Sequence, residues 1–243
     1  FGLKFGAQYA PKHAGVVGNA ALAARTVGEA FAAVVGYLPT MVDATVHGME
    51  VGDGTAFVYS YYSDPLMMSY RQKADWAIAF ACNLVRVGLG EPRWTPREVL
   101  LPQLADETPA ERRTRAAIMG DTIRAGHPWA GIRFDAGLLK RPMTTADAMI
   151  ESLMRHYGEL RLAALPAPQG EIEPLRREIA RVLVTGEGSI EHLAKATGTS
   201  VRTLQRRLKD AGLTYADLQN DVRKTLALNL LETESLALAE IAF

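Results

Sequence analysis

The chain has 243 residues with 27 basic and 27 acidic side chains, so its net charge is zero and no global charge marks it as a binder of nucleic acid or membrane. Hydrophobic residues make up 48% and charged residues 22%, values of soluble globular chains with real cores, and the length predicts two domains. The single cysteine, Cys82, excludes an internal disulfide and fits a reducing cytoplasm, while Arg, Asp, Glu or Gly interrupts every apolar run before it reaches a membrane span. No secretory signal is evident, and a start at Phe1 without methionine predicts upstream residues.

In chain order, Phe1, Leu3 and Phe5 alternate with Gly2, Lys4 and Gly6, which predicts a short strand. Thr26 and Glu29 form a capping-box pair at the head of a helix reaching about Tyr37. Val42 to Tyr62 reads as a hairpin turning at Gly52-Asp53-Gly54, with β-branched and aromatic residues on both arms. A longer helix from about Met68 to Val87 carries Trp76, Ile78, Phe80, Leu84 and Val85. Glu98 to Leu101 and Ile132 to Phe134 are predicted strands. Between them Thr108, Pro109 and Glu111 supply a cap, a first-turn proline and a capping-box acid. A helix from about Ala146 to Ala163 closes the first domain, and Pro166, Pro168 and Gly170 mark a break.

Beyond the break only helices are predicted. One starts at Glu173-Pro174 and ends near Gly186, and two short ones lie between Ser189 and Leu213. Thr214 and Asp217 cap a long helix to about Leu231, and Ser235 caps a last one still running at Phe243. The expected architecture is therefore an α+β domain over residues 1–165, a linker at 166–170, and an all-α domain over 171–243.

Ser189 to Leu213 is the most informative stretch. Ser189 caps a first helix with Ile190, Leu193 and Ala194 inward, and Gly198 permits the sharp turn that follows. Ser200 caps a second helix in which Val201, Leu204 and Leu208 form one buried stripe, and Gly212 ends it. The remaining faces hold Arg202, Thr203, Gln205, Arg206, Arg207 and Lys209, with no anion before Asp210. Arginine and lysine neutralise phosphates, and arginine and glutamine make paired hydrogen bonds to guanine and adenine edges in the major groove. Ser200, Arg202, Thr203, Gln205, Arg206, Arg207 and Lys209 are the candidate DNA-binding residues. An ordinary helix with a solvated basic face is the alternative; two caps and a glycine turn argue against it.

Other chemistry is sparse. His13, His47, His127, His156 and His192 show no metal-ligand spacing, and Cys82 has no partner, so neither a metal nor a cofactor is expected. No nucleophile elbow or phosphate-binding glycine loop occurs, adjacent Asp106 and Glu107 precede a helix cap, and no enzyme activity is expected. A ligand pocket is not located. Phe57, Tyr59 and Tyr61 share a strand face, Trp76 and Trp129 are large amphipathic residues, and Arg71 or His127 could orient an anion. Filling of the core is the favoured role of these aromatics and of Met67, Met68 and Met143.

From Ser189 through Leu204-Gln205-Arg206-Arg207-Leu208 and the following helix to Ser235–Phe243, the chain resembles the AraC family of bacterial transcriptional regulators. The resemblance implies a second helix-turn-helix beginning at Ser235, whose recognition helix is not in this sequence. Weak, poorly discriminating DNA binding by this chain is therefore expected. Thr26-Val27-Gly28-Glu29-Ala30, Gly126-His127-Pro128, Ile132-Arg133-Phe134 and Arg141-Pro142 loosely resemble the arabinose-binding type of effector domain found in some of these regulators. The resemblance implies a ligand-responsive regulator with four partners: double-stranded promoter DNA, a small-molecule effector, a second copy of the chain and RNA polymerase. The rival expectation is a sensor or dimerisation module whose DNA-binding half is truncated or vestigial.

Overall fold

The computed structural model describes residues 1–42, 45–62, 71–102, 108–127, 129–165, 175–176, 178–179 and 189–232. The elements run α1 (Gly2–Gln8), α2 (Gly15–Ala23), α3 (Val27–Tyr37), β1 (Thr45–Gly52), β2 (Thr55–Tyr62), α4 (Arg71–Leu89), β3 (Glu98–Leu100), α5 (Pro109–Met119), β4 (Ile123–Arg124), β5 (Ala130–Asp135) and α6 (Ala148–Ala163). Then follow α7 (Ile190–Ala196), α8 (Val201–Asp210) and α9 (Tyr215–Glu232). The linker at 166–170 and the helix at Ser235 lie outside the described residues. Of the helix expected from Glu173 to Gly186, positions 175, 176, 178 and 179 are described, and they are helical.

The strands form one mixed sheet in the order β1-β2-β5-β3-β4, antiparallel except for the parallel β3–β4 pair. The hairpin turns as expected. Asp53 (φ 50°) and Gly54 (φ 72°) are both left-handed, the conformation a two-residue hairpin loop needs to match strand twist. Side chains alternate across the sheet. Ala56, Val99, Ala130, Ile132 and Phe134 join α3 and α4 residues such as Phe31, Ile78, Leu84 and Val85 in the main core. On the other face Phe57, Tyr59 and Leu100 form a second cluster. There Gly48 and Gly131 leave room for the rings: a Cβ on either would lie 2.5 Å from Tyr59 or Phe57. Met143 is buried in the main core, as expected.

At the N-terminus the chain is helical where a strand is expected. Phe1, Phe5 and Tyr9 stand four apart, a spacing that satisfies both a period of two and one helical turn, and in α1 their rings pack in series at 5.5 and 5.4 Å. Glycine decides for the helix. A Cβ on Gly6 would lie 2.6 Å from the Trp76 carbonyl oxygen, so α1 can lie against the backbone of α4 only because Gly2 and Gly6 lack side chains. The Thr26 cap differs in detail as well. Thr26 Oγ1 accepts from Glu29 N–H (3.2 Å), but the Glu29 carboxylate accepts from Arg25 N–H (3.0 Å) and its guanidinium (2.6 Å). Thr108 and Glu111 form the full reciprocal box. Between α5 and α4, Arg115 and Asp75 make a buried two-pronged ion pair at 2.5 and 3.2 Å.

A separate core joins Leu175 and Ile179 to Leu193, Ala194, Leu204, Leu208, Leu218 and Val222. Trp129 packs against this core and also lies edge-on to Phe57 at 6.2 Å.

Candidate nucleic-acid interface and effector cavity

Helices α7 and α8 stand on local signals. Ser189 Oγ accepts from His192 N–H (3.2 Å), and Ser200 Oγ accepts from Thr203 N–H (3.1 Å). Between them Gly198 (φ 63°) allows Gly198 N–H to reach Lys195 O (3.2 Å) and Thr199 N–H to reach Ala194 O (2.9 Å). Gly212 (φ 71°) closes α8 the same way, with Gly212 N–H on Lys209 O and Leu213 N–H on Leu208 O, both 2.9 Å. Both closures satisfy carbonyls that a helix end would otherwise leave orphaned. Thr214 and Asp217 then cap α9 reciprocally at 2.9 and 3.1 Å.

Leu204 and Leu208 are fully buried, which fixes the rotation of α8. Arg202, Gln205, Arg206, Arg207 and Lys209 are consequently exposed, as is Ser200. At 100° per residue Arg206 falls opposite the leucines, with Arg202, Thr203 and Lys209 within about 60° of that direction. Gln205 and Arg207 fall on the two flanks, and Thr203 Oγ1 is already engaged with Ser200 Oγ at 2.9 Å. Among the described residues no carboxylate pairs with Arg202, Arg206, Arg207 or Lys209. An exposed cationic ridge with one amide among its guanidinium groups suits a polyanion that also presents hydrogen-bonding edges.

The second feature is a cavity that the sequence did not locate. It lies between the main-core face of the sheet and helices α3 and α4, and its volume is about 90 Å³. Phe31, Val34, Leu38, Val58, Phe80 and Ile132 supply apolar walls. Thr45, His47, Ser60, Lys73 and Trp76 supply polar atoms. His47 bridges two hydroxyls, with Nδ1 2.7 Å from Ser60 Oγ and Nε2 2.8 Å from Thr45 Oγ1. Burial, assisted by the Lys73 charge, pushes its pKa down to about 4, so the ring is neutral at pH 7. Trp76 Nε1 is buried without a hydrogen-bond partner among the described residues.

The expected aromatic roles divide. Phe57 and Tyr59 fill a core, Tyr59 donating to Glu50 Oε1 at 2.9 Å, whereas Trp76 lines the cavity. His127 and Trp129 pair outside it at 5.8 Å, and the Arg71 side chain, Met67, Met68, Asp106 and Glu107 lie outside the described residues. Lys73 and His47 went unrecognised, although two sequence signals pointed to them. Lys73 and Trp76 are one turn apart on an otherwise apolar α4 stripe, and Thr45 and His47 share the strand face of Met49.

Residues 1–143, more than half of the chain, match the N-terminal arabinose-binding domain of AraC transcription regulators. The chain belongs to this family of transcription regulators. Over 231 residues it is 29% identical to the ornithine utilization regulator of Pseudomonas aeruginosa, a match covering 94% of this chain and 66% of that protein. Over 234 residues it is 29% identical to the transcriptional regulator VirS of Mycobacterium tuberculosis, covering 94% and 67%. The chain thus spans about two thirds of the length of the curated relatives it matches. The crystal structure of the transcriptional regulator CdpR from Pseudomonas aeruginosa shares the fold at a TM-score of 0.50 and 23% identity, over 99% of this chain and 77% of that one. Family and relatives are named as regulators, not enzymes. No helix among the described residues is long and apolar enough to cross a membrane.

Proposed function

We propose that this AraC-type regulator binds promoter DNA sequence-specifically through α8 and answers to a small molecule held in the sheet–helix cavity. The observation that carries the DNA reading is the exposed ridge of Arg202, Gln205, Arg206 and Lys209, with no carboxylate partner among the described residues, above a core that fixes its orientation. In this reading Arg202, Gln205 and Arg206 touch base edges, and Lys209, Arg207, Ser200 and Thr203 hold phosphates. Residues 1–165 form the effector and dimerisation domain, 166–170 the linker, and 171–243 the DNA-binding domain. One relative is named for the utilization of ornithine, which supports control by a metabolite.

Self-association is part of the proposal. Ile150, Leu153, Tyr157 and Leu160 on α6 are all at least 44% exposed and alternate at three- and four-residue spacing, the seam of a helix that pairs with another helix. A second copy of α6 supplies such a partner symmetrically. RNA polymerase is the further partner the family implies.

The test of base reading is a footprint and affinity series on the regulator's own upstream DNA. Arg206→Ala and Gln205→Ala should each cost about 1–3 kcal/mol on the preferred site and relax preference at one or two positions. An unchanged footprint and unchanged affinity in both variants would refute the assignment.

A further inference from the structure

Among the described residues that build or border the second core, Trp129 alone comes from before the break at 166–170. Strand register explains how it gets there. Across β2 and β5, Tyr59 pairs with Gly131 and Phe57 with Arg133. Side chains alternate along a strand, so positions 129, 131 and 133 share the outer face, while Ala130 and Ile132 enter the main core. Trp129, just before β5, keeps this parity. It lies edge-on to Phe57 at 6.2 Å and beside the His127 ring at 5.8 Å. Phe57 stacks on Tyr59 at 5.0 Å and carries the Arg133 guanidinium at 5.0 Å. Gly131 keeps this row open, because a Cβ there would lie 2.5 Å from the Phe57 ring. The same indole packs against the core formed by Leu193, Leu204, Leu208 and Leu218. One ring therefore belongs both to the outer face of the sheet and to the core that holds α8.

We propose that Trp129 is a clasp that docks the DNA-binding domain on the outer face of the sheet and so sets the direction in which α8 presents its exposed face. The contact is narrow. A large aromatic side chain buries about 150–250 Å², against roughly 600–1,500 Å² for a typical interface between domains. It suffices because both halves lie on one chain, which holds them at a high effective concentration. Its small size also means that loss of the single ring releases the domain. Arg202, Gln205 and Arg206 are exposed while the clasp is closed, so it orients α8 without covering it. The clasp also joins the two ends of the molecule. Val58, Ser60 and Ile132 line the cavity from the inner face of β2 and β5, and Phe57 meets Trp129 on the outer face of the same two strands. The proposal goes beyond the DNA and effector readings and depends on neither.

The experiment measures amide nitrogen relaxation and chemical shifts in the full chain and in its Trp129→Ala and Trp129→Phe variants, with and without the regulator's own upstream duplex. In the unaltered chain α7–α9 and the sheet should tumble with a common correlation time. Trp129→Ala should lose this, with α7–α9 tumbling faster than the sheet while the Leu193, Leu204 and Leu208 amides keep their folded shifts. Trp129→Phe keeps an aromatic edge and should keep the common tumbling. A residue that only fills a core would lower stability without separating the two motions. Duplex should shift α8 amides in all three proteins. The change should reach Gly131 and Phe57 in the unaltered chain and be lost there in Trp129→Ala. Common tumbling in Trp129→Ala, or duplex shifts at Gly131 and Phe57 that this variant retains, overturns the clasp. If the duplex shifts no α8 amide in any protein, the α8 reading fails and the relaxation comparison decides the clasp by itself. Should Trp129→Ala not fold, the unaltered chain decides: separate correlation times for α7–α9 and the sheet overturn the clasp, and common tumbling with duplex shifts reaching Gly131 supports it.

Discussion

Replacing His47 by glutamine tests the cavity wall through the pH dependence of stability. The imidazole is held neutral by burial and by the nearby Lys73 charge, with its pKa pushed from 6.5 down to about 4. The folded state therefore binds fewer protons than the unfolded state between these values. Stability is fully present above about pH 6.5 and is lost as the pH falls towards about 4. The whole displacement corresponds to about 3 kcal/mol, and about 2 kcal/mol of it is gone by roughly pH 5. Glutamine keeps an amide that can bond the Thr45 and Ser60 hydroxyls but does not titrate. Burial also holds His127 below its ordinary value, so the slope of one protein alone is not diagnostic. Urea unfolding of both proteins at about pH 7.5 and about pH 5 removes that contribution by subtraction. The native chain should lose about 2 kcal/mol more than His47→Gln over this interval. Parallel losses in the two proteins would refute the buried, neutral His47.

Three further outcomes follow from particular contacts. Arg115→Leu removes the guanidinium paired with the buried Asp75 carboxylate and should cost about 3–5 kcal/mol, seen as a melting temperature lower by roughly 10 °C; adding Asp75→Leu should restore most of it. Cys82 is fully buried with its thiol pushed up to about 12, so a disulfide reagent at mildly alkaline pH should modify it only at the rate of unfolding, and fast labelling of native protein would contradict this. Leu153→Glu places a charge on the exposed α6 stripe and should weaken self-association at least about tenfold in sedimentation experiments, with no loss of monomer stability.

What the sequence disclosed follows from how local each signal is. The α7–α8 unit was legible in full because each determinant acts within five residues: Ser189 and Ser200 cap, Gly198 and Gly212 close, and Leu204 and Leu208 set the rotation. The Asp53-Gly54 turn and the Thr108 box were legible for the same reason. The α1 segment misled because Phe1, Phe5 and Tyr9 fit both periods, and the glycine contacts that choose between them are made with α4, some seventy residues away. Strand β4, only two residues long, carries too few positions for any period to show. The cavity was hidden because its walls come from α3, β1, β2, α4 and β5, so it exists only after the sheet has formed. Attention to Arg71 and His127 passed over Lys73, which lines the cavity and stands two positions from Arg71 on α4.

The central claim is that the exposed face of α8 reads DNA. The most direct measurement is the affinity of the chain for its own upstream DNA and for a scrambled duplex, followed across salt from about 50 to 200 mM. Gln205→Ala/Arg206→Ala should erase most of the preference for the native sequence, whereas Lys209→Ala should lower both affinities alike and reduce the salt slope by about one. If both variants retain the preference and the slope of the unaltered chain, then α8 is not the reading helix.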